Sequence, residues 1–358
     1  RQRQMCIRDR MNGAYTVGGT GTNNFPTLAA AITTLTGCGV SGPVTINLIN
    51  GAHALPSTTF ASILGVSATN TVTINGMGVA NDTISFGAGT AVGLTFNGAQ
   101  HIKFQNLTIN ATSVDRPVWL TGGTHHITFN NCHILGNATS TSGLSCVIAA
   151  TGSATSLSTT GNNADRITIS NCKLSGGYYG FTAYGTGTTD YDKGFVLTDN
   201  EFVDQYYYGI RMYYTDSVVV ERNIVTGFRN TFAYGYYGFY NSNIVMKQNQ
   251  FFAPTYGLYI SQLNTANATT NSEMSNNFMG GGTYGAYITT YSKLNVYHNS
   301  FGGGTSGYYS FTPNGDVNIR NNIFGGISSY AFYSSTAPAT GFTLNYNCLL
   351  YTSPSPRD

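Results

Sequence analysis

A six-residue pattern recurs nine times in this chain, and the interval between copies limits what the chain can fold into. The copies are FQNLTI (104–109), FNNCHI (129–134), ISNCKL (169–174), LTDNEF (197–202), VERNIV (220–225), MKQNQF (246–251), MSNNFM (274–279), VYHNSF (296–301) and IRNNIF (319–324). A partial copy, LNYN, follows at 344–347. The fourth position reads Leu107, Cys132, Cys172, Asn200, Asn223, Asn249, Asn277, Asn299 and Asn322, with successive offsets of 25, 40, 28, 23, 26, 28, 22 and 23 residues. A second pattern falls between the copies: YGFTA (179–183), YGIRM (208–212), YGFYN (237–241), YGLYI (256–260), YGAYI (284–288), SGYYS (306–310) and YAFYS (330–334). Each repeat therefore holds two or three short strands with period-two alternation, separated by Gly, Asn and Ser. No helical pattern lies between them. Such a repeat fits one coil of a parallel β-helix. Propeller blades need roughly 40–50 residues, and leucine-rich repeats need a Leu/Asn consensus that is missing.

The coil explains the asparagines. Equivalent positions of neighbouring coils stack at the inter-strand distance of about 4.8 Å. An Asn at a sharp bend then satisfies its own backbone and bonds the Asn of the next coil, which offsets the cost of burying an amide. Asn200 to Asn322 are expected to form this ladder.

The two ends stand apart. Residues 1–10 (RQRQMCIRDR) and 348–358 (CLLYTSPSPRD) resemble translated sequencing-adapter sequence and are expected to lie outside the fold. They hold five of the 16 basic and two of the 14 acidic residues, leaving 11 basic and 12 acidic between them. That balance gives no footprint for nucleic acid. No apolar run approaches a membrane span. Charged residues make up 8% of the chain, against a usual level of about 25%. Outside the ends the cysteines are Cys38, Cys132, Cys146 and Cys172, without CxxC or metal-type spacing, and they are read as small buried thiols.

The repeats over 70–347 resemble the parallel β-helix repeats of the pectate-lyase-like superfamily. Residues 11–69, with AYTVGGTGTNNFPTLAAAITTL, CGVSGPVTINL and INGAHAL, resemble the start of β-helix domains in large bacterial secreted or surface proteins. The residues agree: Pro26 opens a short helix with Leu28, Ile32 and Leu35 on one face, Gly37 closes it, and VTINL (44–48) is a first alternating strand. A helix there would cover the open end of the solenoid. The expected fold is all-β, a right-handed parallel β-helix of about ten coils with a short N-terminal capping helix, its hand taken from the rule for parallel crossovers. The resemblance implies a secreted or cell-surface location.

Enzymes of this superfamily carry acidic clusters or Ca²⁺-binding Asp groups on the outer face. Here the densest charge lies in 190–205 with Arg211, Glu221, Arg222 and Lys247. The repeat register sorts it into three stacked ion pairs, Lys173–Glu201, Asp199–Arg222 and Glu221–Lys247. Asp190 and Asp192, a D-x-D in a loop, are the Ca²⁺ candidate, and no other cofactor is indicated. His125, His126, His133 and His298 have no catalytic partner in any recognisable motif and are read as structural. The superfamily's catalytic motifs are not matched residue for residue, so no catalytic residue is assigned.

Two surface features remain. The long inserts 151–165, 184–194 and 261–272 occupy one point of the repeat and should lie on one edge. In YGLYI the alternation turns Leu258 and Ile260 inward and Tyr259 outward. The same slot reads Thr182, Arg211, Tyr240, Tyr287, Tyr309 and Tyr333, with Phe239, Ala286, Tyr308 and Phe332 inward beside it. Arg211, Tyr240, Tyr259, Tyr287, Tyr309 and Tyr333 are thus the candidate glycan-binding residues, as a flat aromatic platform closed by Arg211 or as a self-stacked ladder that stiffens the sheet. The sequence supports a non-catalytic surface module that contacts a polysaccharide or cell-surface glycan. The alternatives are a polysaccharide lyase or glycoside hydrolase with its site near 184–216, and a structural spacer in a larger secreted chain.

Overall fold

The computed structural model describes residues 10–49, 51–87, 89, 91–188, 190–266, 268–326, 328–336 and 340–351. Every strand pairing among the named strands is parallel, and each coil pairs with the next, as the repeat requires. Most coils have three strands. In one of them Val196–Thr198 leads to Glu201–Val203 and then to Tyr208–Asp216. The first strands stack into a ladder of thirteen, from Met11–Val17 to Phe342–Asn345. The third strands stack from Thr58–Phe60 to Tyr330–Ser334. The count exceeds the expected ten because the earliest coils, including the strand Met11–Val17, lack the Asn and Tyr-Gly signals.

Each coil turns apolar side chains inward from its strands. Leu197, Phe202 and Ile210 fill one coil, with Val220, Val225 and Tyr236 on the next, and all six are fully buried. Same-slot residues stack on each other, giving one continuous core along the axis.

The bend between first and second strands is made as the Asn pattern predicts. The residue before the ladder position has a left-handed backbone, as at Asp199 (φ 58°), Gln248 (φ 57°) and His298 (φ 57°). The ladder residue follows, buried. Asn200, Asn223, Asn249, Asn277, Asn299, Asn322 and Asn347 are joined by six side-chain amide bonds of 2.9–3.0 Å. Each of the first six also donates to a carbonyl of the preceding coil, as Asn249 does to Val220. Upstream the sulfurs take over: the Cys172 Sγ accepts the Cys132 N–H at 3.4 Å. Cys132, Cys146 and Cys172 are buried, as expected of structural thiols, whereas Cys38 at the end of the helix is only half-buried.

The helix spans Leu28–Cys38 and buries Leu28, Ala31, Ile32 and Leu35 against the strands of the first two coils. Its boundaries differ slightly from the Pro26–Gly37 reading. Thr27 caps it, its hydroxyl accepting the Ala30 N–H at 3.1 Å, and Gly39 (φ 75°) ends it.

Residues 1–9 and 352–358 of the two adapter-like ends lie outside the described residues. Cys348–Tyr351 departs from the expectation for its segment: it forms a strand in register with Ile323–Gly326, although Leu349 and Leu350 stay exposed.

Candidate functional site

The outer face of the third sheet carries the tyrosines, and its register corrects one of them. Tyr259 lies beside Tyr237, which in turn lies beside Arg211. The outward column therefore runs Tyr237, Tyr259, Tyr287, Tyr309 and Tyr333. Tyr240 is not in it. The segment YGYYGFY offers two Tyr-Gly pairs three residues apart, and the strand uses the first, so Tyr236 rather than Phe239 fills the core. Tyr240 instead has a left-handed backbone (φ 51°) and stacks on Tyr214 at 5.3 Å.

The column is a self-stacked ladder. Successive ring centroids lie 4.8, 5.3, 4.7 and 4.6 Å apart, and the first three pairs are within 6° of parallel. A second stack runs beside it through Tyr179, Tyr208, Tyr234, Tyr256 and Tyr284, with spacings of 4.8–5.2 Å. The two meet nearly at right angles, Tyr234–Tyr237 at 90° and Tyr256–Tyr259 at 88°. Ten tyrosines thus form a herringbone in which most ring faces are taken by other rings. A flat platform for sugar rings is not what this surface offers: it presents ring edges and phenol groups. Burial holds the hydroxyls of Tyr256, Tyr259 and Tyr287 above the usual tyrosine range, so they stay protonated donors.

Arg211 holds its expected slot but is buried. It donates to the Thr182 hydroxyl at 2.8 Å, to the Tyr179 hydroxyl at 3.2 Å and to the Leu157 carbonyl, and its guanidinium sits 4.3 Å over the Tyr179 ring. The insert 151–165 brings Leu157 over it as a roof. Arg211 therefore anchors that insert and the start of the second stack, and it does not close an open platform.

The three inserts share one edge, as expected. Asn163 bonds the Tyr184 carbonyl, Asp192–Lys193 pairs with Thr215–Asp216, those pair with Asn241–Ser242, and Ser242 bonds the Ala266 carbonyl. The D-x-D pair splits. Asp190 is exposed, while Asp192 is buried and accepts the Asn163 N–H at 3.2 Å. Burial, reinforced by Asp165 and Asp190, pushes the Asp192 carboxyl up to about 7.

The ion pairs follow the register with one exchange. Lys173–Glu201 closes at 3.0 Å, and Asp199–Arg222 is bidentate at 2.7 and 2.8 Å. The Arg222 guanidinium holds the Asp199 carboxyl below its ordinary range. Glu221 and Lys247 are register partners, but Lys247 turns to Glu273 at 3.1 Å and Glu221 to Arg222 at 3.2 Å. Sequence reasoning overlooked Glu273, which lies on the following coil.

A second surface was missed. On the outer face of the first sheet, a groove of about 470 Å³ is lined by Thr73, His101, Lys103, His126, Thr128 and Arg166 among others. His101 and His126 occupy one corner of adjacent coils and stack at 4.4 Å. His125 joins them, its Nδ1 2.7 Å from the Nδ1 of His126. Burial and mutual repulsion lower the proton affinity of His101 and His126. Their 25-residue separation is one coil, the only sequence signal that could have paired them.

Residues 160–301 match the family model described as the right handed beta helix region. The fold of the chain is a right-handed parallel β-helix. The A-module of a mannuronan C-5 epimerase from Azotobacter vinelandii superposes with a TM-score of 0.57 at 12% identity, over 88% of this chain and 90% of that one. A pectate lyase gives 0.51 at 14% identity, over 92% and 79%. A surface adhesin of Streptococcus pneumoniae gives 0.52 at 13% identity, over 82% and 78%. At these identities the likeness is one of fold. A search of curated proteins found no match. Among the described residues no helix of the β-helix is long and apolar enough to cross a membrane.

Proposed function

We propose that this β-helix is a non-catalytic carbohydrate-binding module of a secreted or surface protein, taking a polysaccharide along its tyrosine flank. The observation that carries the reading is the double tyrosine stack. Its hydroxyls repeat at the coil spacing, so they form a regular row of donors and acceptors along the axis. A polymer with repeating hydroxyls matches such a row better than a compact ligand does. Tyr237, Tyr259, Tyr287, Tyr309 and Tyr333 are the proposed contacts, by hydroxyl and ring edge. Arg211 supports the end of the face through Tyr179. The structural neighbours, a mannuronan epimerase, a pectate lyase and a surface adhesin among them, are in keeping with this reading.

The test is retention on a panel of polysaccharides and a glycan array, comparing the parent with Y259F/Y287F. Phe keeps the stack and removes the hydroxyls. Weaker retention by the Phe pair supports the reading. Equal retention, or no retention by the parent, ends it.

A lyase or hydrolase working near 184–216 is the second reading, supported by the raised carboxyl of Asp192. Polysaccharide cleavage that disappears in Asp192→Asn would establish it in place of the first.

A further inference from the structure

The three histidines at the groove have a use that the tyrosine flank does not supply. We propose that His101, His125 and His126 bind one divalent transition-metal ion of the zinc–copper class, with an open coordination position facing the cationic groove.

One ring nitrogen from each residue can be chosen so that all three lie within 4.8 Å of one another, and all three side chains are half-buried. In a tetrahedral site with metal–nitrogen bonds of about 2.0–2.1 Å, ligand nitrogens stand roughly 3.3 Å apart. The 2.7 Å contact between His125 and His126 must therefore open by about 0.6 Å, within reach of a ring rotation. Three imidazoles without a carboxylate suit Zn²⁺, Cu²⁺ or Ni²⁺ and do not suit Ca²⁺ or Mg²⁺, which need oxygen ligands.

The backbone gives a second observation. His101 (φ 50°) and His126 (φ 54°) stand at a corner that requires a left-handed backbone. Arg166 (φ 53°), Gly194 (φ 71°), Ser217 (φ 55°) and Asn243 (φ 51°) take the same corner on the coils that follow, so the register sets the bend whatever the residue, and it holds the His101 and His126 rings one above the other.

Three protein ligands leave a position for water or an anionic oxygen. Lys103 and Arg166 line the same groove and supply positive charge beside it. The ligand class that completes the site is therefore a carboxylate or similar oxyanion.

The test is calorimetric titration of the full chain with ZnCl₂, with CaCl₂ as the control ion, and electron paramagnetic resonance of the Cu²⁺ form. One Zn²⁺ per chain, no Ca²⁺ heat and nitrogen hyperfine structure from imidazoles are expected. His101→Asn and His126→Asn keep a residue type that the corner accepts, and each should weaken Zn²⁺ binding by at least about tenfold. His125→Gln, in ordinary strand backbone, serves if either corner variant unfolds. His298→Ala, at an exposed bend on another coil, should bind as the parent does. Zn²⁺ should raise the Tm of the parent and leave those of the ligand variants unchanged. Binding weaker than about 100 μM in the parent overturns the proposal. So does one-to-one binding that survives every ligand variant, or an equal loss in His298→Ala.

Discussion

The side-chain oxygen of Asn223 accepts two hydrogen bonds from Asn200, one from its backbone N–H at 3.0 Å and one from its amide at 2.9 Å. The same arrangement repeats down the ladder, so each Asn serves its neighbour's backbone and side chain together. Asn249→Ala would strip the Asn223 backbone N–H and amide of their acceptor and leave the Val220 carbonyl without its donor. All of these groups are buried, so a loss of about 3–5 kcal/mol is expected in urea denaturation. Asn249→Cys should cost less, because sulfur already accepts a backbone N–H at Cys172. Equal losses for the two variants would refute that account.

Asp192 sets a pH dependence. Its folded carboxyl titrates at about 7, against 3.8 for the free group, mainly because it is buried. Between those values the folded state holds a proton that the unfolded state has released. Stability should therefore fall as pH rises from about 4 to 7 and then level off, a total on the order of 2–4 kcal/mol. Asp192→Asn keeps an oxygen for the Asn163 N–H and removes the charge. It should be more stable than the parent at pH 8 by about 1–3 kcal/mol and show a flatter profile. Denaturation midpoints at pH 5 and pH 8 for both proteins decide this.

The glycine of the Tyr-Gly motif is a spacing requirement. A Cβ on Gly285 would lie 2.6 Å from the Gly307 carbonyl oxygen and 2.9 Å from the backbone of Gly302. These neighbours are backbone atoms and cannot swing aside. Gly285→Ala is expected to destabilise by about 1–3 kcal/mol, read as a lower urea midpoint. An unchanged midpoint would mean that the coils separate more easily than their register implies.

The repeat made the coil, the Asn ladder and two of three ion pairs legible, because each depends only on residues one period apart. What failed depended on something else. Tyr240 was misplaced because two Tyr-Gly pairs in YGYYGFY fit the pattern equally, and only the inward burial of Tyr236 chooses between them. The roof over Arg211 comes from Leu157 in an aperiodic insert. Lys247 chose Glu273 over Glu221, which is side-chain rotation within a correct register. The histidine cluster was hidden because His101 lies outside any repeated motif, one coil before His126.

The tyrosine face has two roles that one position can separate. The Tyr259 ring lies between Tyr237 at 4.8 Å and Tyr287 at 5.3 Å, both within 6° of parallel, and its edge meets Tyr234 and Tyr256. Aromatic pairs contribute about 0.5–1.5 kcal/mol each beyond their burial, so Tyr259→Ala should cost roughly 2–4 kcal/mol. Tyr259→Phe keeps every ring contact and should stay within about 0.5 kcal/mol of the parent. If the flank only stiffens the sheet, the Phe variant will match the parent in both stability and polysaccharide retention. If the hydroxyl row is the binding surface, it will match in stability and lose retention. Urea denaturation and polysaccharide retention on the same preparations separate the two, because the substitution leaves the stack intact and changes only what faces solvent.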